Sequence, residues 1–487
     1  MPETRERASF NGKLGFIMAT SASAVGLGNL WRFPYETSHY GGGIFVLVYV
    51  ILAFSFGMCL MLAELSFGRR TGKSCVSAFG EVSRKHRRIG QLAAAIPMLV
   101  LPYYCVIGGW VAKWLYESSI GNLQELASDN GSYWFGFITG AEGFGSPTLW
   151  FLVFTALCMI CILAGVKNGI EKLSKALVPA LLVLMIGITA YELTIPGTWD
   201  GVVYYLNPDI NELSADTFLG AVSQIFYSMS IAIGISITYG SYTKKDVDLE
   251  QSAGTVALID SGVAILAGLM IVPVAFMFGF GDSNGMGLMF EALPQIFVSM
   301  PGGSVIGPVF YFLVLLAALT SAVSLAETCT SVFTDGTGIG RGRSILATAG
   351  IILFFGLICV FGFGHGPLAV DTPLSQGAGW LGFFDTISNS ILMPVSAILM
   401  CLFIGYVARP GFLEEEIEIS SRFRLKKVFT TMIKYVCPIL LTVMLVFGLY
   451  NLFARRENAS LGPSPTSRSD CPRTAREDCC QECRTLS

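Results

Sequence analysis

The sequence predicts an all-α polytopic membrane protein, and three observations carry that prediction. Hydrophobic residues make up 53% of the chain and charged residues 13%, and mean hydropathy is +0.63, well above a water-soluble domain. The apolar residues fall into eleven stretches, with approximate limits Leu14–Thr37, Gly43–Gly68, Ile89–Ile120, Leu149–Val166, Ile170–Tyr191, Leu219–Tyr242, Gly254–Phe280, Val305–Phe333, Ser344–Phe363, Trp380–Val407 and Val428–Phe453. Each can cross about 30 Å of hydrocarbon, which takes about 20 helical residues. Lys and Arg cluster in alternate loops: at Arg5/Arg7/Lys13, Arg69 to Arg88, Lys167/Lys172/Lys175, Lys244/Lys245, Arg341/Arg343 and Arg409 to Lys427. The loops between carry acids but no Lys or Arg. By the positive-inside rule the amino terminus is cytoplasmic, and eleven crossings leave the carboxyl terminus outside. The polar, charged start MPETRERASF predicts no cleavable signal peptide. The expected location is the plasma membrane.

The first stretch contains SAVGLGNLWRFP, Ser23 to Pro34. A spanning helix must satisfy its own backbone, because hydrocarbon offers no other partners. Gly26 and Gly28 weaken the helix, Pro34 removes a donor, and Asn29 and Arg32 place polar groups at membrane depth. The pattern predicts a broken helix lining a polar site. In the second stretch Glu64 either sits at the interface near Arg69 and Arg70 or accepts backbone N–H groups freed where another helix unwinds. The third carries Tyr103 and Tyr104. Before the fifth, Gly169 is followed ten residues later by Pro179, a place where a helix can unwind from its cytoplasmic end.

The sixth stretch, AVSQIFYSMSIAIGISITYGSY, is interrupted by Gln224, Ser228, Ser230 and Gly234. It is a second candidate broken helix, five helices after the first. That spacing fits two inverted five-helix repeats, in which substrate binds between discontinuous helices at matching positions of the halves. Asp260 stands inside the seventh stretch, where a carboxylate is costly and marks function by default. The eighth offers Thr320, Ser321 and Ser324 as oxygen donors in a run of small residues that also suits close packing. The tail after Asn458 is polar and holds four of the thirteen cysteines, Cys471, Cys479, Cys480 and Cys483. Their spacing fits no closed zinc site, and the tail is expected to be disordered. No nucleotide-binding loop or catalytic constellation occurs, and the three histidines, His39, His86 and His365, are far apart. An enzyme and an ATP-driven pump within this chain are thereby excluded, and nucleic acid is not an expected partner. No cofactor is expected.

The run Gly26-Leu27-Gly28-Asn29-Leu30-Trp31-Arg32-Phe33-Pro34, with Gly41-Gly42-Gly43 after it, resembles the signature of the neurotransmitter:sodium symporter family. AEL-x-x-GR, Tyr103-Tyr104 with Trp110, QIFYS-x-S followed by TYGSY, and AALTS extend the match to Phe453. The resemblance implies the LeuT-like fold, two inverted five-helix repeats plus an eleventh helix. Its expected division is a cytoplasmic segment 1–13, repeats at 14–191 and 219–408 joined by an outer loop 192–218, a cytoplasmic loop 409–427, the eleventh helix 428–454 and the tail 455–487. It also implies sodium-coupled symport of a zwitterionic, hydrophobic or aromatic amino acid by alternating access. The alternative is a ligand-sensing receptor on the same fold without sustained transport.

By the same resemblance the first sodium site uses the carbonyl of Ala24, the side chains of Asn29 and Ser228, and Asp260. The second uses the carbonyls of Ala22, Val25 and Ala317 and the hydroxyls of Thr320 and Ser321. Substrate is expected against Ser23, Gly26, Gly28, Val100, Tyr104, Tyr227, Ser230, Ile233, Ser321, Ser324 and Leu325. Arg32 with Asp385 is expected to close the outer side. Arg7 with Asp335, and Tyr242 with Glu327, are expected to close the inner side. Two positions depart from the family: Ala232 stands where glycine is usual, and Phe10 where tryptophan is common. Tyr49, Gln224 and Ser228 match part of the anion cage of chloride-dependent members, but Asp260 puts a fixed carboxylate beside it, so transport is expected to be independent of chloride.

Overall fold

The computed structural model describes residues 9–460 apart from 129, 130, 142, 280–284, 364, 365, 371, 373 and 376. Arg7 and the cysteines of the tail lie outside the described residues. Every regular element found among the described residues is helical. Nine helices are long and apolar enough to cross a membrane, and a bent pair makes a tenth span. In chain order we name the bent pair α1 (Gly12–Ala24) and α2 (Gly28–His39), then α3 (Gly43–Thr71), α4 (Arg84–Ser119), α5 (Gly145–Leu163) and α6 (Val166–Glu192). The sixth apolar stretch is two short helices, α7 (Ala215–Ser228) and α8 (Ile235–Ser241). Neither half is long enough to span alone. The series ends with α9 (Leu249–Met277), α10 (Gly303–Thr337), α11 (Arg341–Phe361), α12 (Gly379–Ala408) and α13 (Lys426–Tyr450). Residues to Leu445 make one compact unit, and those from Val446 on form a second. The last helical turns of Cys437–Ser460 belong to the second.

The two breaks arise from local backbone chemistry. Between α1 and α2 the axis bends by 50°, with Val25 in an extended conformation after the last turn of α1. Between α7 and α8, Ser230 (φ 53°), Ala232 (φ 67°) and Gly234 (φ 76°) all lie in the left-handed region. Only glycine enters that region without cost. Two of the three are not glycine, so the turn is held by its surroundings rather than by its own preference. Ser214 caps α7 by accepting the N–H of Thr217 at 3.1 Å, and the Thr217 hydroxyl accepts the Ser214 N–H at 3.3 Å, a reciprocal cap that fixes where the helix begins.

Small residues allow the halves of the molecule to meet. A side-chain carbon at Gly68 on α3 would overlap the carbonyl of Ile237 on α8, and one at Gly240 would overlap that of Leu65. This backbone-to-backbone approach is how membrane helices associate when lipid is as apolar as leucine. It fixes α8 against α3 and positions the break before it.

Candidate functional site

The backbone groups released at the two breaks are taken up by side chains from elsewhere. At the first break the N–H of Gly26 donates to Asn29 Oδ1 at 3.0 Å, and that of Leu27 to Tyr104 Oη at 3.4 Å. Ser321 Oγ donates to the carbonyls of Ser23 and Val25, both at 3.3 Å, and Gln224 Nε2 to that of Gly28 at 2.9 Å. At the second break Ser230 Oγ donates to the Ser23 carbonyl at 3.0 Å. The N–H of Ala232 donates to Glu64 Oε1 at 2.8 Å. Glu64 is therefore the buried acceptor for an unwound backbone, not an interfacial carboxylate. Unwinding inside a membrane is tolerated where side chains take up freed backbone groups in this way.

Where the breaks meet, oxygen atoms converge. Asp260 on α9 is fully buried. It accepts hydrogen bonds from Asn29 Nδ2 at 2.8 Å, Ser228 Oγ at 2.7 Å and Tyr49 Oη at 3.3 Å. Asn29 Nδ2 also reaches Ser228 Oγ at 2.9 Å. The structure thus brings Asn29, Ser228 and Asp260 into one cluster. Nearby, Thr320 Oγ1 donates to the Ala317 carbonyl at 3.0 Å, and Ser321 touches Val25 as above. Ala22, Ala24 and Val25 belong to a helix end, where the last carbonyls lack intrahelical partners. The carboxylate, hydroxyl and carbonyl oxygens gathered here suit a hard cation and not a soft one, while the Asn29 amide turns its nitrogen to Asp260 and its oxygen to the Gly26 N–H.

Gly26 stands between these clusters. A side-chain carbon there would lie 2.5 Å from Ser321 Oγ and 3.1 Å from Tyr104 Oη. At Gly28 it would come no nearer than an ordinary 3.6 Å to the Tyr227 backbone and 3.8 Å to the Ser228 nitrogen. Val100, Ser230, Ile233, Ser324 and Leu325 are all buried. Tyr239 Oη, from the TYGSY run, donates to Ser324 Oγ at 2.8 Å.

At one end of the site Tyr242 Oη donates to Glu327 Oε1 at 2.8 Å. Arg341 completes that group, with Nη2 2.7 Å from Glu327 Oε2. The sequence hides this role, because Arg341 reads there only as one of a cluster of cytoplasmic charges. Phe10 packs edge-on against Tyr239 and Tyr242, with ring centroids 5.5 and 6.1 Å apart. Asp335 accepts the N–H of Ser74 at 2.7 Å, and its expected partner Arg7 lies outside the described residues.

At the opposite end Arg32 and Asp385 come close without forming a direct ion pair. Arg32 Nε bonds Glu36 Oε1 at 2.9 Å and Nη2 bonds Ser223 Oγ at 2.9 Å. Its guanidinium lies 4.0 Å over the Tyr227 ring. The Tyr227 hydroxyl in turn donates to Asp385 Oδ1 at 2.7 Å. Tyrosine stands between the two charges because Glu36, one helical turn from Arg32, is the nearer carboxylate.

Two interrupted helices that meet at a buried polar centre, with hydrogen-bonded polar groups at either end, are the arrangement of a membrane transporter. The chain belongs to the sodium:neurotransmitter symporter family, whose model matches residues 7–133 and 139–463. It is 33% identical over 396 residues to an uncharacterized sodium-dependent transporter of Bacillus subtilis, covering 80% of this chain and 86% of that protein. It is 26% identical to the human sodium- and chloride-dependent GABA transporter 2, over 68% of this chain and 62% of that one. The crystal structure of MhsT in complex with L-phenylalanine superposes with a TM-score of 0.81 at 33% identity, covering 90% of this chain and 99% of that one. The fold is therefore the LeuT-like fold expected from the sequence. The protein is a multi-pass, sodium-dependent symporter, and sodium is its coupling ion.

Proposed function

We propose that this protein carries a zwitterionic amino acid with a hydrophobic or aromatic side chain into the cell, driven by sodium and independent of chloride. It sits in the plasma membrane with its amino terminus inside and its carboxyl terminus outside. The observation that carries the reading is the absence of a side chain at Gly26, wedged between Ser321 and Tyr104. An acidic side chain there would pair with the ammonium of an amine substrate. With glycine, the substrate's own carboxylate takes the place, beside the N–H groups of the break and the Tyr104 hydroxyl. That the solved relative holds L-phenylalanine supports a substrate of this class.

In this reading one sodium is held by the Ala24 carbonyl, Asn29, Ser228 and Asp260, with the substrate carboxylate. A second is held by the carbonyls of Ala22, Val25 and Ala317 with Thr320 and Ser321. Two cations and a zwitterion burden the site with positive charge, and burying cations in low dielectric is costly without a counter-charge. Asp260 supplies that charge in place of a bound anion. Arg32, Tyr227 and Asp385 close the outer side. Arg7 with Asp335, and Tyr242 with Glu327, close the inner side. The test is equilibrium binding of all twenty amino acids to the purified protein, with sodium and with potassium. Sodium-dependent binding of hydrophobic or aromatic members is expected. Binding of dopamine or serotonin with no amino acid bound would overturn the reading.

A further inference from the structure

Four polar side chains from three helices meet at the outer end of the site. Tyr227, in the last turn of α7, donates its hydroxyl to Asp385 Oδ1 on α12 at 2.7 Å. Asn389, one turn further along α12, donates from Nδ2 to the same Asp385 oxygen at 2.6 Å and to Tyr103 Oη on α4 at 3.0 Å. Its Nδ2 also reaches the Tyr227 hydroxyl. The amide has two hydrogens for three acceptors, so it shares them among Asp385, Tyr103 and the Tyr227 hydroxyl, and that hydroxyl lies between Asp385 as its acceptor and Asn389 as its donor. Arg32 takes no direct part. It is held by Glu36 and Ser223 and lies on the face of the Tyr227 ring.

We propose that the outer side of this transporter is latched by the Tyr227 hydroxyl, gripped between Asp385 and Asn389, and that Tyr227 and Asn389 are positioning residues that tie α7 to α12. A phenylalanine at 227 could pack the same ring under Arg32 and would leave α12 free. An opening that separates α7 from α12 must break the bonds of one hydroxyl to two side chains of α12. The donors facing Asp385 are a neutral phenol and a neutral amide. A closure built from them responds weakly to ionic strength, whereas an exposed Arg–carboxylate pair is screened by salt. Hydrogen bonds to an ionised acceptor are stronger than those between neutral groups, so Asp385 gives the latch its strength without needing Arg32 as partner.

This inference rests on the outer-closure reading above, and its test needs neither substrate nor uptake. Hydrogen–deuterium exchange of residues 215–228 and 379–392 is measured on the full chain in lipid nanodiscs, at low and high salt. Wild type, Tyr227→Phe, Asn389→Ala, the double variant and Arg32→Gln are compared, with unchanged exchange across α10 as the check on folding. Tyr227→Phe is expected to speed exchange in both segments several-fold, and Asn389→Ala in the same segments. The double variant is expected to exchange no faster than the faster single one, because both remove one shared junction. Salt is expected to leave the wild type unchanged. Wild-type rates in Tyr227→Phe, or effects that multiply in the double variant, would overturn the latch. So would a response in which Arg32→Gln and high salt open both segments while Tyr227→Phe does not. Failure of sodium-driven uptake in wild type would count against the transport reading alone, and the exchange rates would still decide the latch.

Discussion

Replacing Gly26 by alanine is the sharpest perturbation of the proposed site. The new carbon would stand 2.5 Å from Ser321 Oγ and 3.3 Å from Ser321 Cβ, and 3.1 Å from Tyr104 Oη. Ser321 cannot yield without leaving the carbonyls of Ser23 and Val25, which it bonds at 3.3 Å each. Tyr104 cannot yield without leaving the N–H of Leu27. One methyl forced into a packed interior costs about 1–3 kcal/mol. If that cost falls on the substrate-bound state, affinity drops by about 5- to 150-fold at 1.4 kcal/mol per tenfold. Gly28→Ala is the matched comparison, because its carbon comes no nearer than 3.6 Å to the Tyr227 backbone and 3.8 Å to the Ser228 nitrogen, ordinary contact. The assay is sodium-dependent equilibrium binding of radiolabelled amino acid to both variants. Gly26→Ala binding within twofold of wild type, or Gly28→Ala losing as much as Gly26→Ala, would refute the placement of the substrate carboxylate at Gly26.

Three further outcomes are expected. Glu64→Ala leaves the buried N–H of Ala232 without its acceptor, a loss of about 1–3 kcal/mol. It should melt earlier in detergent than Glu64→Gln, which keeps an acceptor oxygen, and equal melting would contradict that role for Glu64. Pro179→Ala should slow uptake while leaving equilibrium sodium binding intact, since the stretch from Gly169 to Pro179 is where α6 is proposed to unwind and wet the second sodium site. Normal uptake by that variant counts against the idea. Replacing chloride by gluconate should not change wild-type uptake, whereas Asp260→Asn should lose activity or come to require chloride. A wild type that stops without chloride ends the proposal that Asp260 supplies the counter-charge.

Much of this arrangement is legible in the amino-acid sequence. Glycines, an arginine inside an apolar stretch and a proline within twelve residues mark the break at Val25–Leu27 because each is costly inside a spanning helix. Asp260 stands out for the same reason, and its partners Asn29 and Ser228 stand out as polar residues in apolar runs. Charge placement sets the helix order. The rest depends on packing between residues distant in the chain. Tyr227 and Asp385 are 158 positions apart, and nothing local says that a phenol rather than Arg32 reaches that carboxylate. Arg32 instead pairs with Glu36 one turn on, an i,i+4 contact that ordinary helix geometry allows. Asn389 is silent in the sequence because a lone amide in a helix carries no signal until its neighbours are known. The left-handed backbone at Ala232 is hinted at by the glycine usual there in the family, since alanine by itself predicts helix, and the Ala232 N–H is held by Glu64.

The central claim is that sodium entry drives accumulation of an amino acid through the centre formed by the two broken helices. The most direct measurement is uptake of a labelled hydrophobic or aromatic amino acid into proteoliposomes, with sodium outside only, on both sides, or replaced by potassium. Accumulation above the external concentration with sodium outside only, lost when sodium is equal on both sides, is the predicted result. Sodium-dependent binding without accumulation, or uptake indifferent to sodium, would contradict the account.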